Sequence, residues 1–227
     1  IKISREEYPM INIIPHFSIL HEFRGNRVNT QNSFNNFLYF VNNLGCKEVL
    51  LISGSQKRST LDSVSSLYLF KDRSLFSLSD FSIGVAFNPY LPDLMFKEEI
   101  MRLEKKLHSG LVTSIWIQFG TDITLFESRV EILLNIILST IKNNSKITDI
   151  KLFGSILIPS KQFLARFKYR PWKGVHCSNE FLESVYYARN IVGRLLKTYK
   201  YYNIFPIIET NTSNDKNLNS FFDLIDK

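Results

Sequence analysis

The chain has 227 residues, of which 44% are hydrophobic, with only nine Gly and seven Pro. This length suits one domain with a sizeable core, and the composition excludes a disordered, collagen-like or linker-rich protein. The formal net charge of +7 is compatible with an anionic ligand or a basic compartment. Because Lys and Arg are spread over several predicted helices, we interpret them as solvated helix faces and do not expect nucleic acid as a partner.

Two cysteines, Cys46 and Cys177, lie far apart and lack neighbouring ligand residues. They predict neither a metal site nor a disulfide framework, so we expect buried thiols in a reducing compartment. No apolar run reaches the ~18 residues of a transmembrane helix, and the start of the sequence has no secretory pattern. The expected location is the cytoplasm, with the mitochondrial matrix as the alternative. The first residue is Ile1 rather than Met, so residues upstream remain an open alternative.

Apolar runs and helical periodicity alternate regularly along the chain. Strands are predicted at Met10–Leu20, Glu48–Ser53, Phe81–Phe87, Val112–Gln118, Ile150–Leu157 and Asn203–Glu209. Helices are predicted at Gln31–Asn43, Thr60–Leu69, Leu94–Ser109, Ile123–Asn143, Ser178–Tyr199 and Leu218–Ile225. The link Lys161–Cys177 is long for a connector and belongs to a class of loops that often line sites. Phe17, Tyr39, Phe40, Trp116 and Phe119 have the spacing of core residues.

The stretch Phe81–Gln118 contains a complete strand–helix–strand unit with strands typical of a buried parallel sheet. Pro92 and Asp93 form the start signal of its helix, and Gly110 suits a left-handed residue at its end. The second strand places Gln118 at its carboxyl end, where α/β folds gather their functional groups. The stretch therefore predicts a βαβ unit with a polar residue at a site.

Four segments in order resemble the methylenetetrahydrofolate reductase family. They are Ile-Pro-His-Phe-Ser at 14–18, Leu-Ile-Ser-Gly-Ser at 51–55, Ile-Gly-Val-Ala at 83–86 with the Gln-Phe strand end at 118–119, and Phe-Gly-Ser-Ile-Leu-Ile-Pro-Ser at 153–160. The resemblance covers roughly residues 10–210. It implies a single domain over residues 1–227 with the α/β fold of a TIM-type (β/α)8 barrel. Six βα units are visible, which leaves an incomplete or open barrel, or one completed by upstream residues or another chain.

The resemblance implies an FAD-dependent oxidoreductase that transfers a hydride from reduced flavin to a one-carbon folate. His16 matches a histidine that borders the flavin, and Lys106 matches a lysine near the flavin phosphates. Gln118 matches a glutamine that contacts the pterin substrate. Ser55 and Phe87 occupy cofactor-side positions. Lys106 on a solvated helix face is the competing interpretation. Thr210 and Asn211 resemble the ending of the family's last strand only loosely.

Several positions depart from the family pattern. Ser55 stands where the family has an acid beside the flavin, and Phe87 stands where it has a tyrosine bonded to the cofactor. The glutamate proposed as proton donor has no counterpart in this sequence. The alternative function is therefore a non-catalytic descendant of the barrel that serves as a scaffold or subunit, binding a protein partner or a second copy of itself.

Overall fold

A computed structural model describes residues 11–22, 25–54, 62–73, 81–144 and 149–209. In these residues six parallel strands follow one another in the sheet order β1 to β6, each separated from the next by at least one helix. The strands are β1 His16–Ser18, β2 Glu48–Ile52, β3 Ser82–Phe87, β4 Val112–Ile117, β5 Lys151–Leu157 and β6 Phe205–Glu209. The helices are α1 Arg27–Asn43, α2 Ser63–Arg73, α3 Asp93–His108, α4 Ile123–Asn143, α5 Lys161–Tyr169, α6 Asn179–Glu183 and α7 Val185–Tyr201. The predicted α/β class is confirmed.

The chain divides into two compact units. The first comprises Ile1–Ala86, Ile100–Ile115 and Ile137–Ile150, and the second comprises Phe87–Glu99, Trp116–Ile136 and Lys151–Lys227. Strands β3 and β4 and helices α3 and α4 contribute residues to both units.

The core of the first unit follows from the alternation of side chains along its strands. His16 of β1 pairs in register with Leu50 of β2, and Val49 of β2 pairs with Ile83 of β3. Val49, Ile83 and their neighbours at every second position are fully buried. On the other face of β2, Glu48 accepts a 2.7 Å hydrogen bond from the Ser114 hydroxyl, which satisfies a buried carboxylate.

The core of the second unit centres on Tyr199 of α7, which is fully buried. Its ring lies 5.3 Å from that of Phe126, and its hydroxyl donates to the Ser155 carbonyl at 3.1 Å. The ring can approach the sheet because residue 154 of β5 is glycine. A Cβ atom there would stand 2.3 Å from the Tyr199 ring. Burial raises the pKa of the Tyr199 phenol far above its ordinary value, so the group is a permanent hydrogen-bond donor.

Strand β1 is much shorter than the predicted strand Met10–Leu20. Its pairing with β2 begins at the Pro15 carbonyl, which accepts from Leu50, and the chain turns after Ser18 through a bond from Glu22 N–H. Pro15 has no N–H to donate, so it limits the pairing at this end. His16 is consequently the first residue of β1 and not its end.

Two serine caps explain the other differences in helix placement. The predicted helix Ser178–Tyr199 is broken at Ser184, whose backbone is extended and whose hydroxyl accepts from Tyr187 N–H. The link from Lys161 starts with helix α5, because Ser160 caps it through Phe163 N–H. Serine bonds the backbone more favourably at a helix start than inside a helix. Both predictions were wrong for this reason.

Helix α1 begins four residues earlier than predicted, after Asn26, whose side chain accepts from Asn29 N–H. Phe17 and Phe119 are buried as expected, and Trp116 is half-buried. Tyr39 and Phe40 are exposed, so their assignment to the core was wrong. The predicted helix Leu218–Ile225 lies outside the described residues.

The contact between Gly154 and Tyr199 predicts that Gly154→Ala lowers the free energy of unfolding by about 3 kcal/mol, because the new methyl group overlaps a buried ring. Gly193→Ala on α7 is the control. No atom lies within 4 Å of its added Cβ, so this substitution should stabilise the helix by roughly 0.5–1 kcal/mol. Urea denaturation of both variants measures the difference, and equal stabilities would contradict this packing.

Candidate functional site

In the first unit, a polar cluster lies at the carboxyl end of β2. Ser53 accepts hydrogen bonds from Ser63 N–H at 3.0 Å and from the Arg102 guanidinium at 3.3 Å. Its hydroxyl also lies 2.8 Å from the Ser63 hydroxyl. Arg102 forms a second contact, an ion pair of 3.3 Å with Asp62. Ser53, Asp62, Ser63 and Arg102 are called the Arg102 cluster below.

Asp62 has two roles in the Arg102 cluster. Its carboxylate caps α2 by accepting from Ser65 N–H at 2.8 Å, and it pairs with Arg102. Partial burial raises its pKa, but the bonds from Ser65 and the charges of Arg102 and Lys106 outweigh that effect and leave the pKa below its ordinary value. Asp62 is thus an anion at neutral pH and is not a proton donor there.

Lys106 lies one helical turn after Arg102 on α3. It is only 4% exposed, and its ammonium group donates to the Ala86 carbonyl of β3 at 2.9 Å. The interpretation of Lys106 as a solvated residue was therefore wrong. A buried ammonium must be hydrogen-bonded, and here a main-chain carbonyl provides one of its partners.

The other predicted residue of the first unit, His16, does not belong to the carboxyl end of the sheet. It is exposed and pairs in register with Leu50, three residues before Ser53. Three residues of a strand span about 10 Å, so His16 lies that far along the strand direction from the Arg102 cluster. Ser55, Thr210 and Asn211 lie outside the described residues.

In the second unit, Phe87 and Gln118 meet through the backbone alone. The N–H of Gln118, the residue after β4, donates to the carbonyl of Phe87 at 2.9 Å. The Phe87 ring is buried and packs edge-on against Phe96 of α3 at 6.1 Å. The side chain of Gln118 is half-buried. Phe87 is therefore a core residue, and Gln118 keeps the strand-end position that the sequence predicts.

A segment after α5 lies against the end of β4 in the same unit. His176 and Gly120 form a parallel bridge, and Thr121 N–H donates to the His176 carbonyl at 3.0 Å. Ser178 N–H donates to the Thr121 hydroxyl at 2.7 Å. Residues 170–178 are called the connector below, and the backbone of its His176 lies beside Gly120, three residues after β4.

Tyr90 holds the connector and the β4 end together. Its ring stacks on the His176 ring at 6.1 Å and 5°, and its hydroxyl donates to the Gly120 carbonyl at 3.1 Å. Gly120 is required there, since an added Cβ would lie 2.4 Å from the Tyr90 ring. Burial raises the pKa of Tyr90 well above its ordinary value, so it is a structural donor and not an acid at neutral pH.

The loop between β3 and α3 is fixed by Arg129, a buried residue of α4. Its guanidinium donates to the carbonyls of Pro89 and Leu91, and pairs with the Asp93 carboxylate at 2.7 Å. It also lies 4.1 Å over the ring of Phe96. The sequence does not predict this role of Arg129, because nothing about a single helical arginine indicates that it faces inward.

These contacts share one chemical property. The buried donors of Lys106, Arg129 and Tyr90 bond main-chain carbonyls of the chain itself.

The residues that the structure describes contain no group of three His, Cys, Asp or Glu side chains able to hold a metal ion. None of the described helices is long and apolar enough to cross a membrane.

Comparison with known proteins gives no family assignment. No protein-family model matches the chain, and no curated protein matches it at a significant level.

Arg129→Met is expected to lower the free energy of unfolding by about 3 kcal/mol, because it leaves buried carbonyls without a donor. Arg102→Met is the matched control. Its ion pair is about two-fifths exposed, so its loss should cost below about 1 kcal/mol. Denaturant titration measures the free energy of unfolding of both variants. If Arg129→Met lowers it no more than Arg102→Met does, Arg129 does not fix the β3–α3 loop.

Both cysteines are free, with Cys46 buried and Cys177 half-buried. Burial raises the pKa of the Cys177 thiol to about 12, which lowers the thiolate fraction at neutral pH about a thousandfold. We therefore predict that iodoacetamide labels Cys177 slowly in the native protein at pH 8 and rapidly after unfolding in urea. Labelling in the native state as fast as that of a free cysteine peptide would contradict this environment.

Proposed function

We propose that the chain is a non-catalytic β/α protein, a divergent form of the methylenetetrahydrofolate reductase-like TIM barrel that serves as a scaffold or subunit and binds a partner. The observation that carries this proposal is that the chain's own residues contact the end of β4. There the Tyr90 hydroxyl bonds Gly120, the Tyr90 ring stacks on His176, and the connector backbone pairs with Gly120 just after the strand. An active site needs this edge for substrate groups.

The residues matched to the family's cofactor positions support the same proposal. Phe87 lacks a hydroxyl group, and its ring packs against Phe96 in the core. The Lys106 ammonium group is buried and donates to the Ala86 carbonyl. His16 starts a strand instead of ending one. A flavin would have to displace these internal contacts before it could use the same donors.

The second candidate is an FAD-dependent methylenetetrahydrofolate reductase-like oxidoreductase in the cytoplasm or mitochondrial matrix. Its support is electrostatic: Arg102 and Lys106 place two positive charges near the end of β2, beside the Asp62 carboxylate. Such charges suit a phosphate, and Gln118 could orient a pterin by its amide. The flavin itself would supply the hydride chemistry. The charge of these residues fits the cofactor, but the Lys106 and Arg102 groups already bond the protein, so no catalytic step follows from this arrangement.

Spectroscopy and titration separate the two functions. The purified protein is expected to be colourless, and isothermal titration with FAD should give no saturable heat at micromolar concentrations. It should also fail to reduce methylenetetrahydrofolate with added reduced FAD.

A yellow protein that releases FAD on denaturation would overturn the non-catalytic proposal. The same holds for saturable FAD binding that is lost in Lys106→Gln and retained in the control Lys105→Gln. Lys105 is the neighbouring exposed lysine of α3, so this control removes an equal charge without touching the Ala86 bond.

A further inference from the structure

The positive charge of the chain is concentrated in one part of the second unit. Residues 161–201 contain nine Lys or Arg and two Glu, a net charge of +7 that equals the formal net charge of the whole chain. The remaining residues are therefore neutral in sum. All nine basic side chains are exposed: Lys161, Arg166, Lys168, Arg170, Lys173, Arg189, Arg194, Lys197 and Lys200. The basic residues are therefore exposed as expected, but they are not evenly scattered along the chain.

Exposed aromatic side chains are interleaved with these basic residues. Tyr169 is 93% exposed, Tyr186 71% and Tyr201 82%, and Trp172 is also exposed. Aromatic rings this accessible are open to stack on a flat partner, and that contact would remove their apolar area from water. Tyr169, Trp172 and Tyr201 adjoin Lys or Arg in the sequence. Tyr186 lies one helical turn before Arg189 on α7.

Helix α7 divides sharply into two faces. One face is buried in the second unit and contains Ala188, Ile191, Val192, Leu195, Thr198 and Tyr199. The opposite face carries Tyr186, Arg189, Arg194, Lys197 and Tyr201 at helical spacing. From the first to the last of these residues the helix rises about 22 Å. This face is a stripe of three cations with a tyrosine at each end.

A groove lies where α5 meets the start of α7. It has a volume of about 510 Å³, and Leu164, Val185 and Tyr186 are among its apolar and aromatic lining. Its charged lining consists of Lys161, Lys168 and Glu183, so the two lysines outnumber the one carboxylate. A flat ring can contact such a lining while an attached anion meets the lysines. The groove thus continues the stripe on α7 with the same combination of aromatic and cationic groups.

We propose that α5, the connector and α7 form a binding surface for single-stranded nucleic acid, called the α5–α7 surface. Lys and Arg would neutralise phosphates, and the exposed rings would stack on unpaired bases. Paired bases cannot stack on side chains in this way, so the rings favour a single strand over a duplex. The proposal names the partner class of the proposed binding role and rests on that role, but the cations and rings it uses are not the side chains bonded at the ends of β2 and β4.

A lipid surface fits these observations less well. A helix that binds in the plane of a membrane inserts an apolar face, whereas the apolar face of α7 is buried against its own unit. The exposed face has a tyrosine at each end of a row of cations and no exposed Leu or Ile. A single-stranded nucleic acid would contact both the cations, through its phosphates, and the tyrosines, through its bases. Anionic lipid would contact only the cations.

The test is fluorescence anisotropy with labelled single-stranded RNA and DNA of about 15 nucleotides, a length within the range that one small binding surface covers. The wild-type protein should bind at least one of them, more weakly as salt rises. The triple variant Arg189→Gln/Arg194→Gln/Lys197→Gln should reduce the salt slope by about 2, since each lost phosphate contact contributes roughly 0.7 for single strands. Tyr186→Ala should weaken binding at least fivefold, because one stacked base is worth about 1–3 kcal/mol.

Two control variants test whether any loss of binding is specific to the α5–α7 surface. Lys97→Gln/Lys105→Gln/Lys142→Gln removes the same charge from exposed positions elsewhere, and Phe40→Ala removes an exposed ring from α1. Both should bind like the wild type, and circular dichroism checks that every variant is folded.

Three outcomes overturn the proposal: no binding to either strand, equal loss in the control variants, or binding to phosphatidylserine–phosphatidylcholine vesicles without binding to nucleic acid. Preference for duplex over single strands, with no effect of Tyr186→Ala, overturns the stacking role. FAD titration of the same preparation reports separately on the proposed function, because its heat signal is measured without nucleic acid.

Discussion

The ends of the parallel strands are governed by the need to satisfy main-chain carbonyl groups that water does not reach. In this protein, long polar side chains from the helices and loops meet that need. Lys106 bonds Ala86, Arg129 bonds Pro89 and Leu91, Tyr90 bonds Gly120, and Tyr199 bonds Ser155. Each of these side chains could serve a ligand in another protein of this class. Here each one fixes the chain to itself.

This use of donors connects the fold to the proposed function. A catalytic edge presents groups that exchange partners during the reaction, and its acids and bases have a pKa near the working pH. Burial raises the pKa of Tyr90, and hydrogen bonds and nearby cations lower that of Asp62, so both groups keep one protonation state at neutral pH. The α5–α7 surface instead presents exposed cations and rings, a combination that suits the proposed binding role.

The sequence predicts the order and type of most elements, because long apolar runs and helical periodicity are properties of local sequence. It fails at Ser160 and Ser184, where one hydroxyl decides where a helix starts. It identifies Gln118 as a strand-end residue, but it cannot show that Lys106 is buried or that Arg129 points inward. Those facts depend on partners that are 20 or more positions away in the chain.

The proposed function depends most on the contact between the chain's own connector and the residues that follow β4. Hydrogen exchange measured by mass spectrometry tests it directly, since Thr121 and Ser178 N–H groups are bonded across this contact. We expect slow exchange in peptides covering residues 119–122 and 175–178, unchanged by FAD together with methylenetetrahydrofolate. Rapid exchange that becomes slow when these ligands are added would contradict the account, because it would reveal an edge that is open until a substrate occupies it.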